Sequence, residues 1–287
     1  LKHLIVTADD FGAAREVNEA VEAAHSEGIL TAASLMVAGD EAGDAITRAR
    51  RLPSLRIGLH LTLVEGRPVL PAAQVPDLID RTGRFRSDMA RLGAAIAFNR
   101  RVRRQTVAEI TAQFEAFRAT GLALDHCNAH KHFHLHPVLG GLMASIGARF
   151  GLTAVRVPIE PHHVLRRVDP RAGWRPSFLT GPLARALRRR LRSKGILAPE
   201  RSFGTRWSGR MTQRRLAGLI RHLPEGISEI YLHPATRSYG AGAAGYRYRE
   251  ELDALIDADT RAACRSGAVR LGGFADFLTP DEQGVPP

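Results

Sequence analysis

Short, nearly unbroken apolar runs alternate along the chain with stretches whose apolar positions recur every three to four residues. The runs "HLIVTA" (3–8), "TAASLMVA" (31–38), "LRIGLHLTL" (55–63), "LALDHCNA" (122–129), "AVRVPI" (154–159), "SEIYLH" (228–233) and "AVRLGGF" (268–274) have the length and content of buried strands. The periodic stretches predict helices over 17–28 with Gly28 as the stop, over 42–52 closed by Pro53, and over 106–121. Further helices are predicted after Pro137, over 212–223 and over 248–267. The stretch from Val64 to Gln105 reads as loop. Strands separated by amphipathic helices imply repeated βα units around a parallel sheet. Seven of them without a linker predict an α/β, (β/α) barrel-like fold, distorted or incomplete, as a single domain over 1–287. An open doubly wound sheet is the alternative.

Composition narrows this picture. Apolar residues make up 44% of the 287 positions, enough for a sizeable core, and no apolar run reaches the eighteen or so residues of a membrane span. Two cysteines, Cys127 and Cys264, form neither a disulfide framework nor a cysteine metal site, so a reduced, cytoplasmic protein is expected. No feature specifies an oligomeric state.

Charge changes the picture more. Lys and Arg number 41 against 29 Asp and Glu, a net charge of +12. Between His162 and Arg206 there are twelve basic and two acidic residues, which marks out a basic, partly helical insertion at about 162–206. Within it Leu183, Leu187 and Leu191 recur every four residues among Arg185, Arg188, Arg189, Arg192 and Lys194. Such a helix over 183–194 either lies on an anionic membrane, peripherally at the inner face, or docks on the domain by its leucines with a solvated basic face.

Polar residues gather at the C-terminal ends of the predicted strands. Asp9 and Asp10 end the first, His60 sits late in the third, Asn128 and His130 end the fourth, and His233 ends the run before Pro234. In parallel α/β folds those ends form one face, where loops build the site. Two adjacent carboxylates repel unless a cation relieves them. One Asp with two His makes three ligands and leaves a place for water, the open arrangement of a catalytic metal. Imidazole in the set favours Zn²⁺, with Mg²⁺ as the alternative. The segment 125–137 holds five histidines, at 126, 130, 132, 134 and 136, more than one ion can use.

The motifs "VTADDFG", "GLHLTL", "NAHKHFHLHP" and "EIYLHP" resemble, in order and spacing, those of the YdjC-like carbohydrate deacetylases, which include chitooligosaccharide deacetylase. The resemblance covers nearly the whole chain. "LVEGRPVLP" and "FGTRWSGRM" look more narrowly like the hopanoid biosynthesis-associated branch. The resemblance implies a barrel-like fold and hydrolysis of the acetyl group of an N-acetylated sugar by one divalent metal ion. It implies Asp10, His60 and His130 as ligands, Asp9 as general base, and His233 as the acid that protonates the departing nitrogen. Asn128, His132 and His134 would line the substrate rim or brace the ligands, and Arg249 or Glu250 would tune local charge. His126 reads as structural, and His136 as leading into the next helix. Where the family reads Asp-Ser, this chain has Asn128-Ala129, and Lys131 follows His130, so the family acid's supporting role is not carried over. For the hopanoid branch the implied substrate is a lipid-linked N-acetylglucosamine.

Two other classes compete. A metal-dependent phosphoesterase or amidohydrolase barrel would commonly hold two ions. A basic nucleic-acid binder has only the net charge in its favour, since aromatic residues are 6% and no glycine–aromatic or zinc-finger signature occurs, so no nucleic acid is expected. The glycine-rich "GAGAAG" (240–245) follows no strand and reads as a loop over the site rather than a nucleotide fingerprint.

Overall fold

A computed structural model describes residues 1–172, 180–266 and 269–277. Seven parallel strands form one curled sheet: β1 (Lys2–Phe11), β2 (Ala32–Leu35), β3 (Arg56–Leu61), β4 (Cys127–Ala129), β5 (Arg201–Phe203), β6 (Gly226–Leu232) and β7 (Val269–Leu271). Their order is β4-β3-β2-β1-β6-β5, with β7 paired to the start of β1. Central β1 is almost wholly buried, which is why it reads as a continuous apolar run.

The helices cover the sheet as α1 (Arg15–Glu27), α2 (Ala42–Arg51), α3 (Met89–Phe98), α4 (Arg100–Ala119), α5 (Pro137–Ala148), α6 (His162–Val168), α7 (Thr180–Arg192), α8 (Gln213–Arg221), α9 (Tyr248–Ile256), α10 (Ala258–Ser266) and α11 (Phe274–Phe277). Helix α1 buries Val17, Ala20, Val21 and Ala24, the stripe its spacing predicted. It stops at Gly28, where any Cβ would lie 2.4 Å from the Leu255 carbonyl oxygen.

Several elements differ from the sequence expectation for definable reasons. Helix α3 lies inside the stretch read as loop; its segment "MARLGAAIAF" is too evenly apolar to show an amphipathic period. Helix α4 starts at Arg100, because the Asn99 side chain accepts hydrogen bonds from the Arg101 and Val102 amides. The helix expected over 248–267 breaks at Asp257, whose carboxylate caps the amides of Asp259 and Thr260; residue 267, like 268 of the last strand, lies outside the described residues.

The predicted strand 154–159 survives only as single bridges, Cys127 to Val155 and Ala154 to Leu197. Pro158 has no amide hydrogen to continue a ladder. The segment still spans the gap between the sheet edges, since the Ser202 amide donates to the Ile159 carbonyl. The barrel-like expectation therefore holds, in distorted form.

In the basic insertion, residues 173–179 lie outside the described part. Leu187 and Leu191 of α7 are buried, and the helix packs on α5. Arg188 donates to the Pro199 and Glu200 carbonyls, and Arg190 to that of Pro137. Arg188 and Arg192 line a groove with Leu1, His3 and Gly226, at the N-terminal strand ends. These contacts favour the docked alternative for 183–194 over the membrane-surface one. The leucine face is used inside the domain, and its basic end points away from the strand ends that carry the polar cluster. No described helix is long and apolar enough to cross a membrane.

Candidate active site

Strand β1 delivers two neighbouring carboxylates to one place by breaking its own regularity. Its register with β2 shifts between Ala8 and Phe11, and Asp10 adopts a left-handed φ of 62°. A regular strand would send adjacent side chains to opposite faces; the irregularity lets both face the mouth. A non-glycine residue holds that conformation only where its surroundings repay the strain.

Asp10, His60 from β3 and His130 just past β4 converge. Asp10 Oδ1 lies 3.2 Å from His60 Nε2 and 3.1 Å from His130 Nδ1. The two imidazole nitrogens are 3.3 Å apart. Asn128 fixes the tautomer of His60. Its amide nitrogen donates to Asp9 Oδ1 and Ser34 Oγ, each at 3.0 Å, so its oxygen accepts from His60 Nδ1–H at 2.6 Å. Nε2 is then the nitrogen aimed at Asp10 and His130; burial disfavours the charged ring, but Asp9 and then Asp10 outweigh it and raise its pKa. Burial disfavours ionised Asp10, but His130 and then His60 outweigh it and hold the carboxyl well below the usual range. Two imidazole nitrogens and a carboxylate oxygen thus converge on one point, an arrangement that a divalent cation fits in place of the shared protons. Among the described residues this is the one such cluster, with all three ligand atoms within 4.8 Å of one another.

Asp9, beside Asp10 at the mouth, is held from behind by a buried ion network. Arg156, fully buried, places Nη1 at 2.5 Å from Asp9 Oδ2. Its Nε and Nη2 reach Glu229 Oε1 at 2.8 and 2.7 Å. Thr7 and Ser202 hydroxyls donate to the two oxygens of Glu229. Burial disfavours ionised Asp9, but Arg156 and then His60 outweigh it and keep its carboxyl well below the ordinary range. His233 Nε2 lies 4.0 Å from Asp9 Oδ2. The His233 backbone amide donates to buried Glu251 at 2.6 Å, fixing where its ring starts.

These groups open into a cavity of about 330 Å³. Tyr231, Tyr239, Tyr246 and Tyr248 line it, with Ala241, Gly242 and Ala243 of the glycine-rich segment at its edge. Glu65 and Lys131 pair at the rim, each with a left-handed φ.

The histidine segment is no strand. Residues 130–135 form a 3₁₀ turn with Lys131 and His132 left-handed, so alternate spacing does not put its rings on one face. Of the five histidines, His130 alone joins Asp10 and His60. His132 Nε2 meets the Tyr231 hydroxyl at 2.8 Å in the cavity wall, and burial pushes its pKa well down. His126 is fully buried between Asp125 and Ser34, stacked on Phe274. Gly58 makes room for it, since a Cβ there would come within 2.5 Å of the ring. His136 packs near Gly93 and Phe133, away from the mouth.

His134 also lies behind the cavity, donating from Nε2 to the Arg156 carbonyl at 3.0 Å. Burial pushes its pKa down to about 4. The folded chain therefore holds it neutral while the unfolded chain protonates it below about 6.5. Stability is expected to fall by about 3 kcal/mol as pH drops from 6.5 to 4, and His134→Gln should remove that part of the slope. Denaturant titrations of both proteins at several pH values check it; parallel profiles would contradict it.

The structure does not bring Arg249 or Glu250 to the site. Arg249 pairs with Asp253 and Glu250 with Arg247 on the exposed side of α9. The α9 residues that reach the site are Tyr248 and Glu251, on the opposite face of the helix from that outward-facing pair. Arg156, Glu229, Ser34 and Tyr231 were not expected in it. The signal for two of them was present: an Arg in "AVRVPI" and a Glu in "SEIYLH" interrupt apolar strands with opposite charges.

Comparisons with known proteins identify the family and the fold. The family model described as YdjC-like protein matches residues 3–266. A carbohydrate deacetylase of Brevibacillus brevis is 36% identical over 157 residues, 55% of this chain and 58% of that protein. That match thus spans little more than half the length of the relative. A carbohydrate deacetylase of Geobacillus stearothermophilus is 29% identical over 96% of this chain and 98% of its own, and one of Vibrio vulnificus is 29% identical over 96% of each. The fold is similar to a crystal structure from Enterococcus faecalis, provisionally named a cellobiose-phosphate cleavage protein. Its TM-score is 0.73 at 22% identity, over 97% of this chain and 99% of that one. With the family model matched over most of its length, this chain belongs to the YdjC-like protein family.

Proposed function

We propose that this protein is a divalent-metal-dependent hydrolase that removes the acetyl group from an N-acetylated sugar. The observation that carries the reading is the Asp10–His60–His130 cluster opening into the same cavity as Asp9 and His233. The relatives named carbohydrate deacetylases supply the substrate class.

Asp10, His60 and His130 would hold the ion, Zn²⁺ in preference to Mg²⁺ because two of the three donors are imidazoles. Bound there, it would supply Lewis acidity, polarising the amide carbonyl and easing removal of a proton from water. Asp9, kept ionised by Arg156, accepts that proton as the water oxygen bonds to the acetyl carbon. His233 delivers a proton to the sugar nitrogen as the C–N bond breaks, giving acetate and a free amine. The tyrosines offer the flat apolar faces on which a sugar ring packs, and Asn128 holds the His60 ring and the Asp9 carboxylate in register. His132 braces Tyr231 in that wall. A single cluster among the described residues favours this reading over a two-metal phosphoesterase.

Within the class, the hopanoid-branch motifs favour a lipid-linked N-acetylglucosamine over a soluble chitooligosaccharide, handled at the inner face of the membrane. Mass spectrometry of acetyl loss decides between them, using N-acetylglucosamine, diacetylchitobiose and an N-acetylglucosaminyl hopanoid with added Zn²⁺ or Mg²⁺. Chelation is expected to slow the reaction at least about a hundredfold, with recovery on adding metal back. His60→Ala and His130→Ala should each lose bound metal and activity together. Turnover that survives both chelation and these variants would refute metal dependence.

A further inference from the structure

The turn between α3 and α4 carries a combination that neither folding nor the proposed chemistry explains. Phe98 is 89% exposed; among the described residues the other exposed large apolar side chains are Leu1, the first residue, and Leu271 at 36%. Directly after it, "NRRVRR" begins α4 with four arginines and no acidic residue in the first turn. The positive end of a helix dipole favours acidic residues there, so these cations are placed against the local electrostatics. Arg101 pairs with Asp77, and Arg103 donates to the Ile96 and Ala97 carbonyls. Arg100 and Arg104 are exposed, with no carboxylate partner among the described residues. Two acids of the preceding segment are engaged elsewhere, Asp77 with Arg101 and Asp88 with Arg86.

The fold fixes which way this corner points. The C-terminal end of α4 lies at the N-terminal strand ends, where Arg50 in the last turn of α2 donates to the Thr120 carbonyl. Further up the helix, Gln113 exchanges hydrogen bonds with the Thr62 backbone, two residues beyond His60. Arg100 lies thirteen residues before Gln113, so the helix carries the corner about 20 Å past the level of Thr62. It projects from the end of the barrel where the cavity opens. Arg206 and Arg210 lie on that end too, lining a cleft that shares Thr205, Ser208 and Tyr246 with the cavity.

We propose that the Phe98–Arg104 corner docks on an anionic lipid surface, with Phe98 inserted at the interface and Arg100 and Arg104 against the headgroups, so that the cavity mouth faces the bilayer. An exposed aromatic flanked by unpaired cations is complementary to such a surface, which supplies apolar depth and negative charge together. The proposal deepens the lipid-linked reading of the substrate, but its test reads binding alone and does not depend on deacetylation.

The experiment is co-sedimentation of the full chain with phosphatidylcholine vesicles, alone or containing about one third phosphatidylglycerol. The wild-type chain is expected to sediment with the anionic vesicles only, and less so at high salt. Phe98→Ser and the pair Arg100→Glu/Arg104→Glu should each weaken binding at least about tenfold. The charge-matched pair Arg189→Glu/Arg192→Glu, on α7, should change it less than about twofold. Absence of anionic-vesicle binding would overturn the proposal, as would an equal loss in the α7 pair, which would mean attraction by net charge alone. Sedimentation equilibrium without lipid supplies the remaining outcome. A dimer abolished by Phe98→Ser would assign the corner to a second copy of the chain instead.

Discussion

Asp9→Asn is expected to leave metal binding intact and slow deacetylation by about 10²–10⁴-fold, the range that a positioned proton acceptor contributes. The two carboxylates that β1 delivers face different partners, and this separation is the basis of the expectation. Asp10 faces His60 and His130, while Asp9 faces Arg156, Asn128 and His233. An asparagine at position 9 can still accept from the Asn128 amide, so the Asn128–His60 contact that orients the His60 ring survives. Its amide hydrogens would meet the donors of Arg156, at a cost in stability of about 1–3 kcal/mol. Metal content per chain and turnover, measured well below the melting temperature, separate the two effects. A variant that retained a tenth of the wild-type rate would remove Asp9 as the base.

The largest effect on stability is expected from Arg156→Met. Among the described residues its guanidinium is the one cation that contacts both Asp9 and Glu229, and all three side chains are buried. Removing one partner of such a group strands the others without solvent, which costs about 3–5 kcal/mol. For a chain of this length that is a fall of about 5–8 °C in melting temperature. Adding Glu229→Gln should return part of the loss, because the second buried charge disappears with the first. Thermal melts of the two single variants and the double variant test this. Strict additivity would mean that Arg156 is not balancing Glu229. Activity should fall in Arg156→Met even where the chain is folded, since Asp9 loses the group that holds its position and its charge.

The position of the site was legible because its residues stand out from their background. A carboxylate pair, a histidine or an amide at the end of an apolar strand has no packing role that an apolar residue would not fill better. Asp9, Asp10, His60, Asn128, His130 and His233 all share that property; five of them line one cavity, and Asn128 is hydrogen-bonded behind them. The network behind them was hidden for the opposite reason. Arg156 and Glu229 sit inside apolar runs, and a charge there looks the same in sequence whether it faces solvent or a partner seventy residues away. Direction was the other missing quantity. The leucine stripe of α7 has one period whether it meets a bilayer or α5, and Arg249 lies one residue from Tyr248 yet on the outer side of α9. Helix α3 gave no period at all because it is apolar on several sides. Breaks in regularity were invisible too, including the bulge that turns Asp10 inward and the paired left-handed residues Lys131 and His132.

Arg156 sits on the segment that spans the two edges of the sheet, and this links assembly of the site to completion of the fold. Its partners lie 147 residues upstream and 73 downstream, and Thr7 reaches Glu229 across 222 positions. Contacts so distant along the chain are slow to form, because the intervening loops must close first. A chain that has folded its first βα units but not received β6 has its Asp10 and His60 without a settled Asp9. Recovery of activity during refolding should therefore lag behind recovery of helix, so that catalysis reports the moment at which the two ends of the chain meet.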